Sequence, residues 1–157
     1  MFREMRLKNH EPPEGTAFEI LANSSYGVLA LDGDDGYTYA VPVNFAYEDN
    51  KIYFHCATEG HKVDAIKRNN KVSFCVVDRD TVLAEKFDTK YRSAIAFGKI
   101  RILEDKNERM HALDALVRKF SPDHIEKGKE VIKKELDIVA AFEIEIEHLT
   151  AKVGAVT

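Results

Sequence analysis

The chain has 157 residues, 45% of them hydrophobic and 32% charged, and a formal net charge of -4. That size and balance fit one globular domain that buries its core without disulfide or metal staples. An acidic surface argues against general nucleic-acid binding, which needs clustered basic residues, yet leaves room for a local anion site.

The opening stretch MFREMRLKNHEPPEG has no apolar run of signal-peptide length. No run of about 18 apolar residues occurs, so no transmembrane helix is expected. Cys56 and Cys75 lie in apolar, strand-like segments rather than in a C-x-x-C pair, as reduced thiols of a cytoplasmic protein would.

Residues 1–13 read as an arm ended by Pro12-Pro13, and the whole of residues 1–157 as a single domain. Phe18, Leu21 and Ala22 recur at helical spacing within Glu14–Asn23. Tyr26–Leu31 is a compact apolar strand, and Asp32-Gly33-Asp34-Asp35-Gly36 is a strong turn signal. Tyr37–Phe45 resumes as a strand but holds Pro42, which cannot donate to a ladder and so belongs at a sheet edge or bulge. Glu48-Asp49-Asn50 turns the chain into Lys51–Cys56, and these three strands are expected to form an antiparallel meander.

Gly60–Arg68 reads as a short helix with Val63 and Ile66 inward. Lys71–Val77 is an almost continuous apolar run, expected to be a strand buried on both faces. Ala84–Lys90 is irregular, and Arg92–Leu103 is a long strand with Gly98 as a bulge or bend. Asp105–Phe120 is the clearest helix, with Met110, Leu113, Leu116, Val117 and Phe120 on one face. Asp123–Glu135 is a second, more polar helix. In the last strand Ile138, Ala140, Phe142, Ile144 and Ile146 alternate with a ladder of Glu143, Glu145 and Glu147 expected to face solvent. The sum is an α+β fold, a small barrel of about six mostly antiparallel strands with peripheral helices.

The stretch YFHCATEGHK, Tyr53–Lys62, concentrates chemistry-bearing residues. His55, Cys56 and His61 mimic a zinc set, but neighbours on a strand point to opposite faces, so no metal is expected. An anion site asks for less. Gly60 permits a tight turn, the helix after it opens with unpaired N–H groups, and Lys62 adds a point charge in the first turn. His61 can donate as well. Alternatively, His61 and Lys62 are solvated surface residues. Val41-Pro42-Val43-Asn44 offers unpaired backbone groups to a flat polar heterocycle, or is an edge strand guarded by proline. Thr89-Lys90-Tyr91-Arg92-Ser93 offers hydroxyls and a guanidinium to the same site, or is ordinary strand-entry polarity.

Three segments in series, YGVLAL…GYTYAVPVNF, KIYFHCATEGHKVDAIKRNNKVSFCVV and FDTKYRSAIAFGKIRIL, resemble the nitroimidazole-resistance branch of the pyridoxamine 5'-phosphate oxidase-like proteins. The resemblance spans about Ala17 to Ile146 and implies a split β-barrel that binds FMN, as a homodimer with flavin at the interface. It implies that Pro42, Val43 and Asn44 line the isoalloxazine, that His55 and Cys56 sit beside the flavin, and that His61 and Lys62 hold the phosphate. Ser93, with Tyr91 and Arg92, is implied near the flavin's polar edge. The pyridoxamine phosphate oxidases themselves carry an arginine–lysine pair where this chain has His61-Lys62, and a C-terminal tryptophan that this chain lacks, which turns the expectation away from vitamin B6 oxidation. The implied activity is reduction of a small aromatic or nitro-type acceptor by a reduced donor, with His55 contacting substrate or relaying a proton. A non-catalytic flavin carrier and a haem-binding split barrel are the alternatives.

Overall fold

The computed structural model describes residues 1–154. Seven strands form one antiparallel sheet: β1 (Tyr26–Asp32), β2 (Thr38–Asn44), β3 (Ala46–Glu48), β4 (Lys51–Cys56), β5 (Lys71–Leu83), β6 (Asp88–Ile102) and β7 (Ala140–Gly154). Their order is β2-β1-β5-β6-β7-β4-β3, so the sheet is open, with β2 and β3 at its edges. Four helices accompany it: α1 (Thr16–Asn23), α2 (His61–Arg68), α3 (Lys106–Phe120) and α4 (Ile125–Glu135). No helix among the described residues is long and apolar enough to cross a membrane.

The sheet rolls around its core. Phe45, just ahead of β3, meets Phe74 of β5 edge-on at a ring separation of 4.9 Å. Phe54 of β4 stacks on Phe142 of β7 at 4.8 Å. With Leu29, Val76, Ile144 and the inward faces of α1 and α2 they form one continuous buried cluster. Truncating such a phenylalanine typically costs about 3–5 kcal/mol. A second cluster lies on the outer side of β4 and β7, where Tyr53 and Ala141 are covered by α3 and α4.

The fold is the expected split-barrel class, with the proline strand at an edge, but it differs from the sequence reading at several places. The first three strands are not a meander: β1 and β2 form a hairpin, whereas β4 pairs with β7 and β3. A short strand, β3, was hidden ahead of the Asp49-Asn50 turn, whose two residues both take positive φ of 49° and 62°. That geometry is the tight turn matching strand twist, and it makes β3–β4 a hairpin of its own.

The stretch around residue 84 is less irregular than expected. β5 and β6 run on to Leu83 and from Asp88, joined by a single short turn. β5 is buried on one face only. Val72, Phe74 and Val76 are inside, but Val77 is 50% exposed and Ser73 and Cys75 are half-buried. Continuous hydrophobicity therefore overstated its burial. β7 continues to Gly154, well past Glu147, and Ile138 lies outside it. Within its acidic ladder Glu143 is buried rather than solvated, held by Lys51 at 3.4 Å and Arg101 at 3.1 Å. The bulge expected at Gly98 is present, as a register shift against β7 between Phe97 and Gly98.

Candidate functional site

His55 and Cys56 end β4, and strand alternation sends them to opposite faces. Cys56 packs against the barrel core and its Sγ donates to the Ala57 carbonyl at 3.1 Å. Burial pushes its thiol up, with Lys62 pulling the other way. His55 is exposed on the outer face, the face that α3 and α4 cover further along the strand. It opens into a cleft of about 640 Å³.

That cleft joins elements distant in sequence. Pro42, Val43 and Asn44 of β2, His55 of β4 and Lys62 of α2 form one side. The other is a helical wall: Leu113, Leu116, Val117 and Phe120 from α3, Val131, Ile132 and Glu135 from α4. β2 reaches the cleft because it is an edge strand, and Pro42, opposite Val28, removes one donor from it. Asn44 is anchored by its Nδ2, which donates to the Ser25 carbonyl at 3.1 Å.

Lys62 stands in the first turn of α2. Gly60 caps that helix at a φ of 129°, a backbone conformation that L residues with side chains rarely adopt. No side chain hydrogen-bonds across this cap, and a Cβ at Gly60 would meet nothing within 4 Å. The first N–H groups of α2 are thus free for an anion, beside the Lys62 ammonium. This chemistry fits a phosphate group.

His61 turns elsewhere. Its ring stacks on Tyr39 at 4.1 Å and its Nε2 lies 3.6 Å from Asp34, which Arg68 also holds at 3.2 Å. Within the single chain, Tyr91, Arg92 and Ser93 do not line the cleft. Arg92 is tied to Asp78 at 2.5 Å and to Glu19 at 3.2 Å. Tyr91 packs over Gly154, and Ser93 faces a smaller cavity of about 200 Å³ beside Lys152 and His148. Five of the sequence-predicted residues therefore share one cleft: Pro42, Val43, Asn44, His55 and Lys62.

The helical wall and Lys119 were missed. The apolar positions of α3 look like ordinary core in sequence, but Phe120 remains 41% exposed and faces the cleft. Lys119 reaches back under the wall. It donates to the Ser24 carbonyl and, at 2.8 Å, to the Phe45 carbonyl. Burial pulls its pKa down to about 8. Through Lys119, α3 is fastened to the end of the strand that carries Asn44. A lone lysine in an amphipathic helix gives no such signal in sequence.

A family model described as pyridoxamine 5'-phosphate oxidase matches residues 13–153. No curated protein matches the chain in sequence. A candidate 5-nitroimidazole antibiotic resistance protein from Bacteroides thetaiotaomicron superposes with a TM-score of 0.74 at 24% identity, over 90% of this chain and 84% of the other. The FAD and heme binding protein of Mycobacterium smegmatis gives 0.79 at 22% identity, over 94% and 74%. A flavocytochrome from Azotobacter vinelandii gives 0.81 at 20% identity, over 96% and 72%. At these identities the likeness is one of fold.

Proposed function

The chain belongs to the pyridoxamine 5'-phosphate oxidase family, and on that premise we propose that it is an FMN-binding oxidoreductase that reduces a small aromatic or nitro-type acceptor. The observation that carries this reading is the cleft itself. One lysine at an open helix start, an edge strand with a missing donor and an exposed imidazole converge on one space. The proteins of similar fold named for flavin binding support it.

In this reading Lys62 and the first N–H groups of α2 bind the phosphate, while His61 stays stacked on Tyr39 outside the cleft. Pro42, Val43 and Asn44 line the ring, and Asn44 is held in place by Ser25. Bound flavin would supply the electron-carrying chemistry. His55, on the open side of the cleft, holds or passes the proton that the acceptor takes up. Cys56, behind it in the core, keeps the strand end packed.

We place the functional unit as a homodimer. The outer face of β5 and β6 exposes Val77 at 50% and Ile95 at 40%, apolar surface that a second copy would cover. Ser93 and Tyr91 lie on β6 too, so such a copy could carry them to the cleft.

The test is a visible spectrum of the purified protein followed by turnover with a reduced nicotinamide donor, with and without a nitroimidazole. The reading requires flavin absorption bands and donor oxidation that depends on the acceptor. A haem spectrum would overturn it in favour of the haem alternative. Flavin bands with acceptor-independent oxidation would leave a carrier rather than a reductase.

A further inference from the structure

The cleft is chemically two-sided. Its strand side carries the polar groups Asn44, His55 and Lys62, whereas its helical side is apolar except at Ser121 and Glu135, of which only Glu135 is charged. Phe120 and Val131, each 41% exposed, give that wall an apolar surface still facing solvent. The spacing of the wall is built in. Gly128 of α4 lies so close to α3 that a Cβ there would come within 2.4 Å of the Val117 Cγ1. Lys119 fastens the same end of α3 to the Ser24 and Phe45 carbonyls. The wall is a fixed surface on which, among the described residues, Phe120 and Val131 stay exposed.

We infer that this α3–α4 wall seats the electron acceptor, and that Phe120, Val131 and Glu135 select flat aromatic molecules that are neutral or cationic over anionic ones. The inference rests on the flavin reading above, which assigns the strand side of the cleft to the cofactor. The charged or titratable groups lining the cleft are His55, Lys62 and Glu135. A phosphate on Lys62 more than offsets its positive charge, and the Glu135 carboxylate is the fixed charge on the helical side. Among the described residues Glu135 has no ion-pair partner, and the nearby Lys133 faces the separate groove beside Met110 and His111. An aromatic face against Phe120 and Val131 removes apolar surface from water. An anionic substituent would have to sit against Glu135.

Two tricyclic dyes of opposite charge test this: methylene blue, a cation, and anthraquinone-2-sulfonate, an anion. Each is equilibrated with the holoprotein by dialysis at low ionic strength, and FMN affinity is titrated separately. The wild type should favour methylene blue. Glu135→Gln should shrink that preference by roughly two- to five-fold, the range for an exposed charge, and added salt should do the same. Phe120→Ala should weaken both dyes by roughly two- to ten-fold with FMN affinity unchanged. Val131→Asp should widen the preference for the cation. Phe120→Ala removes part of the wall, so circular dichroism accompanies it; Glu135→Gln and Val131→Asp sit at exposed positions and decide the matter if it unfolds. Tight FMN binding with dye affinities indifferent to all three substitutions overturns the inference and leaves the flavin reading intact. Dye affinities that follow the wall in a protein that fails to bind FMN would uphold the wall and overturn the flavin reading instead.

Discussion

Lys119 Nζ lies 2.8 Å from the Phe45 carbonyl oxygen and 4.1 Å from the centre of the Phe45 ring. The ammonium is thus held by a carbonyl and by the negative face of an aromatic, without a carboxylate. Burial opposes the charge and pulls its pKa from 10.5 to about 8. The unfolded chain then binds more protons than the folded one between about pH 8 and 10.5, so this group makes stability rise with pH across that window.

Lys119→Met should abolish that rise. Solvent on the exposed half of the side chain leaves it worth roughly 1–2 kcal/mol. Burial also raises Cys56, Cys75 and Tyr53, the last to about 12, and these work the other way above about pH 9. The informative quantity is therefore the difference between wild type and Lys119→Met in urea denaturation at successive pH values. Parallel curves for the two proteins would show that Lys119 does not titrate in that range.

Gly98→Ala should destabilise the sheet. The added Cβ would come within 2.2 Å of the Glu145 carbonyl oxygen, which is backbone and cannot swing aside. The bulge must open, at a cost of about 1–3 kcal/mol. Thermal melting of the variant checks this, and an unchanged midpoint would mean that the bulge relaxes freely.

Arg92→Ala should lower stability more than flavin affinity. The guanidinium is only 18% exposed and its partner Asp78 14%, so removing it strands a mostly buried carboxylate. About 1–3 kcal/mol is expected. Denaturation and FMN titration on one preparation separate the two effects. A large loss of affinity at unchanged stability would instead put Arg92 at the cofactor.

His55→Ala should fold and keep its flavin but turn over poorly. Its side chain is exposed, so packing loses little. Loss of a positioned proton donor typically costs about a hundred-fold or more in rate. Acceptor reduction measured from pH 5 to 9 should show a lower rate and a changed profile. Equal rates and profiles would make His55 a bystander.

Local signals carried most of the fold. Pro42 announced an edge strand, Gly98 a bulge and the Gly60 turn a helix start, because each reflects a backbone constraint acting within a few residues. Partnership was less legible. Nothing near Lys51–Cys56 says that it pairs with β7, nearly ninety positions away, rather than with β2. The same holds for Glu143, whose burial depends on Lys51 and Arg101 arriving from two other strands. The strand side of the cleft was legible because its residues sit in short motifs. The helical wall was not, since a helix face reads alike whether it lines a core or a cleft.

The most direct measurement is an FMN titration of the apoprotein beside Lys62→Ala, followed by flavin fluorescence. If Lys62 and the α2 start hold the phosphate, the wild type binds FMN and the substitution costs about 1.5–3 kcal/mol, or roughly ten- to hundred-fold in affinity, with an unchanged melting temperature. A wild type that takes up no flavin, or a variant that binds it equally well, would contradict the assignment of this cleft.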